Sequence, residues 1–297
     1  MTRQGRRTFA GAALVLGGVL LAAAVLRAGE GAALLEPQTQ RLLYLRSGAT
    51  ADRVMLAFDD IAADLYWIRA IQHYGRDMRN PRVDRFSLLY PLLDLTTTLD
   101  PRFNIAYRFG AVFLSIARPD GPGRTDLAIA LLEKALRHNP SRWQYAHDIA
   151  FIHYWYTGDD AEAARWFERA AGMPGAPGWI APLAAATRAR GGDRTGARRI
   201  LQELSETATE KYTRDAAQRG LMQLQALDAI DQLQALVERY QQRTGRYPSS
   251  WRDLPELRGG TPADSTGEPF VYNPSTHAVE LSPRSTLAPL PTRLNRS

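Results

Sequence analysis

GDDAEAARWFERAA, residues 158–171, and GDRTGARRILQEL, residues 192–204, are two versions of one segment. Each opens with Gly-Asp, each places an alanine five residues after the glycine, and the two glycines lie 34 residues apart. The register extends upstream, since Ala163 precedes Ala197 by 34 residues and follows Ala128 by 35. Four residues after each alanine stands a large apolar residue, Leu132, Phe167 or Leu201. Three further on comes a small or apolar one, Ala135, Ala170 or Leu204. Spacings of three and four put these positions on one face of a helix. A helix pair that cannot bury its apolar face alone is repeated so that the copies can bury each other's.

Upstream, Trp67-x2-Ala70-Ile71-x2-Tyr74 and Tyr107-x2-Gly110-Ala111-x2-Leu114 pair an aromatic with small residues. Leu89, Leu93, Thr96 and Pro101 follow the first of them, and Pro140 closes the second unit. Together these residues resemble the tetratricopeptide repeat, a family built from pairs of antiparallel helices. The resemblance implies a mainly α fold, an α-solenoid with four units at 64–101, 104–140, 144–175 and 178–210. Two stretches depart from the pattern, GRDMRNPRVDR at 75–85 and RPDGPGR at 118–124. Both read as insertions at the turn between the helices of a unit, where lengthening a loop costs only logarithmically growing closure entropy.

In that family the first helix of each unit lines a concave surface that holds other proteins. Carried over position by position, this surface comprises Ile68 and Gln72 in the first unit and Arg108 and Val112 in the second. In the third it comprises Tyr145, Asp148, Ile152, Trp155 and Tyr156, and in the fourth Trp179 and Arg190. The third first helix lies in RWQYAHDIAFIHYWY, residues 142–156, which is aromatic on every side. Tyr, Trp and Arg are the residues of interface hot spots, yet a helix apolar all round also reads as buried against its neighbours. Both readings stand at this point.

The chain of 297 residues has a formal net charge of +6, but the surplus sits at its ends. Residues 1–28 carry four arginines and no acid, and residues 283–297 three arginines and no acid. A nucleic-acid binder needs a basic stripe on its folded part, and the balanced middle argues against one. Cysteine is absent, which excludes disulfides and thiol chemistry. Thr8–Leu26 is a run of 19 uncharged residues, about 28 Å as a helix and close to the thickness of a bilayer core. Three arginines precede it and one follows, placing the N-terminus in the cytoplasm. Residues 1–28 therefore read as an uncleaved signal-anchor in the inner membrane, with the bulk of the chain in the periplasm. A cleaved export signal ending near Ala22-Ala23-Ala24 and a buried helix are the alternatives.

Residues 29–63 read as a connecting segment running into the first helix, and residues 211–282 as C-terminal helices followed by a β-hairpin. Thr213–Gln242 carries leucines in helical phase as one or two helices. Gly245 is placed to end them in a left-handed cap, and Phe270–Tyr272 and Ala278–Leu281 alternate as hairpin strands. Thr244, Gly245, Tyr247, Pro248, Asp264, Gly267, Pro269, Phe270 and Tyr272 resemble the end of the type II secretion pseudopilins. The family's Pro and aromatic after the aspartate are Ser265 and Thr266 here, and no pilin-type leader is present. The segment is accordingly read as a cap closing the helical stack, with Asp264 in an Asx turn. Residues 283–297, rich in Pro, Ser, Thr and Arg, read as a disordered tail.

No nucleophile elbow, phosphate loop or dinucleotide fingerprint occurs. His147 and His153 are six residues apart, unlike the four-residue spacing of helical zinc ligands. Neither catalysis, a metal, a cofactor nor a small-molecule substrate is therefore expected. The function that fits is a membrane-anchored extracytoplasmic scaffold that binds other proteins, in envelope or secretion-complex assembly. A subunit permanently buried in a larger membrane complex and an exported enzyme with an unrecognised site are the alternatives.

Overall fold

A computed structural model describes residues 59–79, 85–257 and 260–292. Within them nine α-helices are followed by one two-stranded sheet. The helices are α1 (Asp59–Arg79), α2 (Leu89–Leu99), α3 (Asn104–Ser115), α4 (Thr125–His138) and α5 (Trp143–Ile152), then α6 (Asp160–Ala171), α7 (Ile180–Arg190), α8 (Arg194–Thr207) and α9 (Lys211–Thr244). The strands are β1 (Val271–Asn273) and β2 (Ala278–Glu280). No helix among the described residues is long and apolar enough to cross a membrane. The segment 8–26 and most of the connection 29–63 lie outside the described residues.

From α2 onward each helix packs on the next, and α3 also meets α5 as α7 meets α9. The Gly-Asp motif makes the turns. Gly158 and Gly192 adopt left-handed backbone angles, φ 71° and 100°, which glycine reaches without a Cβ penalty. Asp159 and Asp193 then cap the following helices, accepting from the N–H groups of Glu162 (3.0 Å) and Gly196 (2.8 Å). Ala128, Ala163 and Ala197 are each the fourth residue of α4, α6 and α8, and each is fully buried. Leu132, Phe167 and Leu201, one turn on, are buried beside them. The three alanines thus share one setting.

Four details narrow the sequence expectation or differ from it. The first insertion is helical as far as Arg79, because α1 simply runs on, and residues 80–84 lie outside the described residues. Thr213–Gln242, open to one helix or two, lies within the single 34-residue α9 (Lys211–Thr244), with no proline in it and the left-handed Gly245 (φ 77°) ending it. The third unit is shifted by a π-helical turn at His153–Thr157, in which the Gly158 N–H reaches back to the His153 carbonyl. A π turn holds one extra residue.

The fourth is the tail, whose described part, 283–292, is packed rather than disordered. Leu287 is buried in the cluster formed by Leu233, Val237, Leu254, Phe270 and Val279. Side chains of α9 satisfy its carbonyls, Gln223 donating to Leu287 (2.8 Å) and Pro289 (2.9 Å) and Arg219 to Ala288 (2.8 Å). The polar composition misleads here because docking uses two leucines and backbone oxygens that composition does not count. The hairpin is as expected, pairing Val271 with Glu280 and Asn273 with Ala278. Gln234 of α9 holds it, accepting from the Val279 N–H (3.0 Å) and donating to the His277 carbonyl (3.1 Å).

Asp264 sits at the centre of this cap. Its carboxylate accepts from the Thr266 N–H (2.8 Å) and hydroxyl (2.6 Å), the Glu268 N–H (3.2 Å) and the Ser285 hydroxyl of the tail. Burial opposes the charge, but these hydrogen bonds outweigh it and hold the carboxyl below its ordinary value. A carboxyl with a depressed folded pKa contributes stability above its unfolded pKa, about 3.9, and loses it as the pH falls through the folded value. Hydrogen exchange should therefore show the Leu287 amide losing protection on acidification below about pH 4, while α6 stays protected. Asp264→Asn should remove that pH dependence.

Gly110 tests the packing of the helix pairs. A Cβ there would meet Leu93 Cδ2 at 2.7 Å and Leu131 Cδ2 at 3.2 Å, so α3 passes close to both α2 and α4. Gly110→Val should lower stability by about 1–3 kcal/mol through overpacking. Gly110→Ala should cost less, since a gain of about 1 kcal/mol in helix propensity offsets the clash. Denaturant unfolding of both variants measures the difference.

Candidate functional site

The first helices of the successive pairs, α1, α3, α5 and α7, are linked side by side. Trp67 of α1 stacks on Phe113 of α3 (ring centroids 6.3 Å apart), and Tyr107 of α3 meets Tyr145 of α5 edge-on (5.7 Å). His147 of α5 meets Trp179, which precedes α7, at 5.6 Å. Along these helices runs a recurring apolar stripe. Ile61, Leu65 and Ile68 on α1 are exposed, and Ile105, Phe109 and Val112 on α3 are exposed at the same intervals of four and three. Phe151 and Trp155 continue it on α5 and its π turn, their rings parallel within 5° and 6.3 Å apart. Exposures of 55% for Phe109, 43% for Phe151 and 52% for Trp155 are high for such large rings. Large apolar side chains left exposed at recurring positions are candidates for an interaction surface.

Of the residues predicted to bind, Ile68, Gln72, Val112, Trp155 and Trp179 are exposed, and Tyr156 is half-buried. Arg108 is exposed and forms a two-bonded ion pair with Asp148 of α5, at 2.5 and 3.1 Å. The hydrogen bond to Asp148 holds the guanidinium above its ordinary pKa against a smaller opposing effect of burial. The two charges answer each other on the surface and tie α3 to α5.

Tyr145 and Ile152 are corrections, since their exposures are 0% and 3%. Counting back a 34-residue unit from Ala163 ignores the residue taken up by the π turn. One residue rotates a helix by about 100°, which turns Tyr145 and Ile152 inward and brings Phe151 out. Inside, the Tyr145 hydroxyl donates to Asn104 of α3. Arg190 is a correction too. Its side chain is 8% exposed and pairs with Asp160, itself 4% exposed, through Nε at 2.9 Å. Its guanidinium lies 3.6 Å from the Tyr154 ring centroid. It joins α7 to the start of α6 and belongs to the interior.

Ile61, Leu65, Ile105, Phe109 and Phe151 are missing from the sequence-derived surface. The identical spacing of Ile61-Leu65-Ile68 and Ile105-Phe109-Val112 was the available signal. It reads as core when burial is unknown, because an apolar stripe is usually what a helix hides. Among the described residues no three His, Asp or Glu side chains gather closely enough to hold a metal ion.

The placement of Arg190 predicts its mutational phenotype. Arg190→Met leaves Asp160 buried without its cation and should cost about 3–5 kcal/mol. Adding Asp160→Asn should recover most of that, as read by thermal unfolding.

No family model matches this chain, and neither the curated proteins nor the solved structures yield a match.

Proposed function

We propose that this chain is an extracytoplasmic scaffold of the tetratricopeptide class, held at the membrane through residues 8–26, that grips other proteins along its first helices. One observation carries the reading: the exposed stripe that recurs at the same intervals on α1 and α3 and continues on α5. A core residue left exposed once is ordinary. The same three positions left exposed on successive helices make a surface with a repeat of its own. Phe109, Phe151 and Trp155 supply large rings of low conformational entropy, with the Arg108–Asp148 pair as a polar element among them, as in an interface core. Equivalent settings for Ala128, Ala163 and Ala197 and the Gly-Asp turns support the repeat class. The anchor rests on the length and flanks of residues 8–26.

Site-specific photo-crosslinking in membranes tests it. A crosslinker at Phe109 or Phe151 should give discrete adducts, and one at Arg137, exposed on α4, should not. Against an isolated partner, Phe109→Asp combined with Phe151→Asp should cost about 2 kcal/mol or more, roughly 30-fold in Kd. Adducts in equal yield at Arg137, or none at either ring, would overturn the binding face. Release of the protein by carbonate wash with residues 1–28 intact would overturn the anchor.

A further inference from the structure

Arg85, at the end of the first stretch that departs from the repeat pattern, meets the second stretch, 118–124, in space. They share a cavity of about 440 Å³, within the size range of ligand sites. Arg85 ends the first stretch and Phe86 follows it, and Arg118, Pro119, Pro122 and Arg124 come from the second. Ser87, Tyr90, Pro91 and Leu127 complete the walls. Insertions in repeat proteins map to loops on one face, often a binding face.

Charge is concentrated there. Three arginines, Arg85, Arg118 and Arg124, line the cavity. Asp77 does not offset the cavity. It is buried, and its carboxylate accepts from the Phe86 N–H at 2.7 Å, which holds Phe86 at a left-handed φ of 63°. Arg124 is answered by Asp126, at 2.6 and 2.8 Å. Arg85 and Arg118 instead spend Nε on backbone carbonyls of Asp77 (3.0 Å) and Pro122 (3.2 Å). Among the described residues no carboxylate forms an ion pair with either. Both guanidinium groups are thus positioned through Nε, and among the described residues their terminal nitrogens meet no carboxylate and can serve a ligand.

The second loop is held by its own backbone bonds. Gly123 and Arg124 donate to the carbonyls of Ile116 (2.8 Å) and Leu114 (2.7 Å), and a Cβ on Gly121 would lie 2.4 Å from the Ile116 oxygen. Preorganised walls reduce the ordering cost of binding.

We propose that this cavity is a second binding site, for an acidic peptide segment of a partner. Two carboxylates meet Arg85 and Arg118, and an apolar side chain between them rests on Pro91, Pro122 and Leu127. The mixture of guanidinium groups with rings, in a space far larger than a phosphate ion, suits an extended ligand bearing both charge and apolar groups. The choice of a peptide rests on the scaffold reading above.

The test uses the full chain in neutral detergent and a labelled peptide, Gly-Ser-Glu-Leu-Glu-Gly-Ser, with its two-glutamine counterpart, by fluorescence anisotropy. The glutamate peptide should bind about tenfold tighter, two partly exposed charge pairs being worth roughly 1.4 kcal/mol together. Arg85→Gln with Arg118→Gln should remove that advantage. Ser87→Glu, which places an acid in the same cavity from an exposed position, should do so as well, and serves if the double variant does not fold. Phe109→Asp with Phe151→Asp should leave the affinity unchanged, so the two surfaces succeed or fail separately. Equal binding of the two peptides, or undiminished binding by folded cavity variants, would overturn the proposal. Full displacement by inorganic phosphate near the peptide's own Kd would also overturn it, assigning the cavity to phosphate.

Discussion

The close approach of successive helices depends on a methyl group at one recurring point. Ala128, Ala163 and Ala197 stand in the first turns of α4, α6 and α8, fully buried. A larger side chain there would push the helices of a pair apart and strand Leu132, Phe167 or Leu201 one turn below. Those three are worth about 1.5–3 kcal/mol each when fully buried. Gly110 makes the same point from the partner helix, where even the first side-chain carbon has no room. Small residues set the distance and large ones fill what remains, so neither works without the other.

That constraint explains which parts of the fold are legible in sequence. Alanine and Gly-Asp recur at fixed positions because the same steric and capping problem recurs, so the helix order and the pairing from α2 to α8 can be read directly. The Gly245 cap and the hairpin are legible for a similar reason, since each depends on residues with special backbone behaviour. The π turn is not. It adds one residue without changing composition or breaking the hydrophobic pattern, and a period counted across it misplaces α5 by one position. Tyr145 and Ile152 in place of Phe151 is the result. The tail was misread for a different reason, because Gln223 and Arg219 satisfy it from 64 and 69 residues away.

Candidate site residues divide along the same line. Ile68, Val112 and Trp155 follow from register alone, and all three are exposed. Arg108 and Asp148 were found singly, while their pairing across 40 residues of sequence needed coordinates. Arg190 shows the converse. An arginine at a surface register reads as exposed, yet Asp160 and the Tyr154 ring together make burial of its charge tolerable.

Regularity and its interruption give this chain two kinds of surface. The repeated positions can only repeat one chemistry, and here they repeat an apolar one, Ile-Leu-Ile and Ile-Phe-Val, down adjoining helices. A patterned helix has little freedom to gather cations at a single point, since each of its positions is already committed to packing, spacing or solvent. Insertions have that freedom. The stretches at 75–85 and 118–124 are released from the period, and they bring Arg85 and Arg118 together from loops on different helix pairs. On one side the Asp77 carboxylate holds Phe86, next to Arg85, and on the other the Ile116 and Leu114 carbonyls hold the second loop. Among the described residues neither guanidinium meets a carboxylate, and holding such a group in place costs side-chain entropy that an exposed arginine keeps.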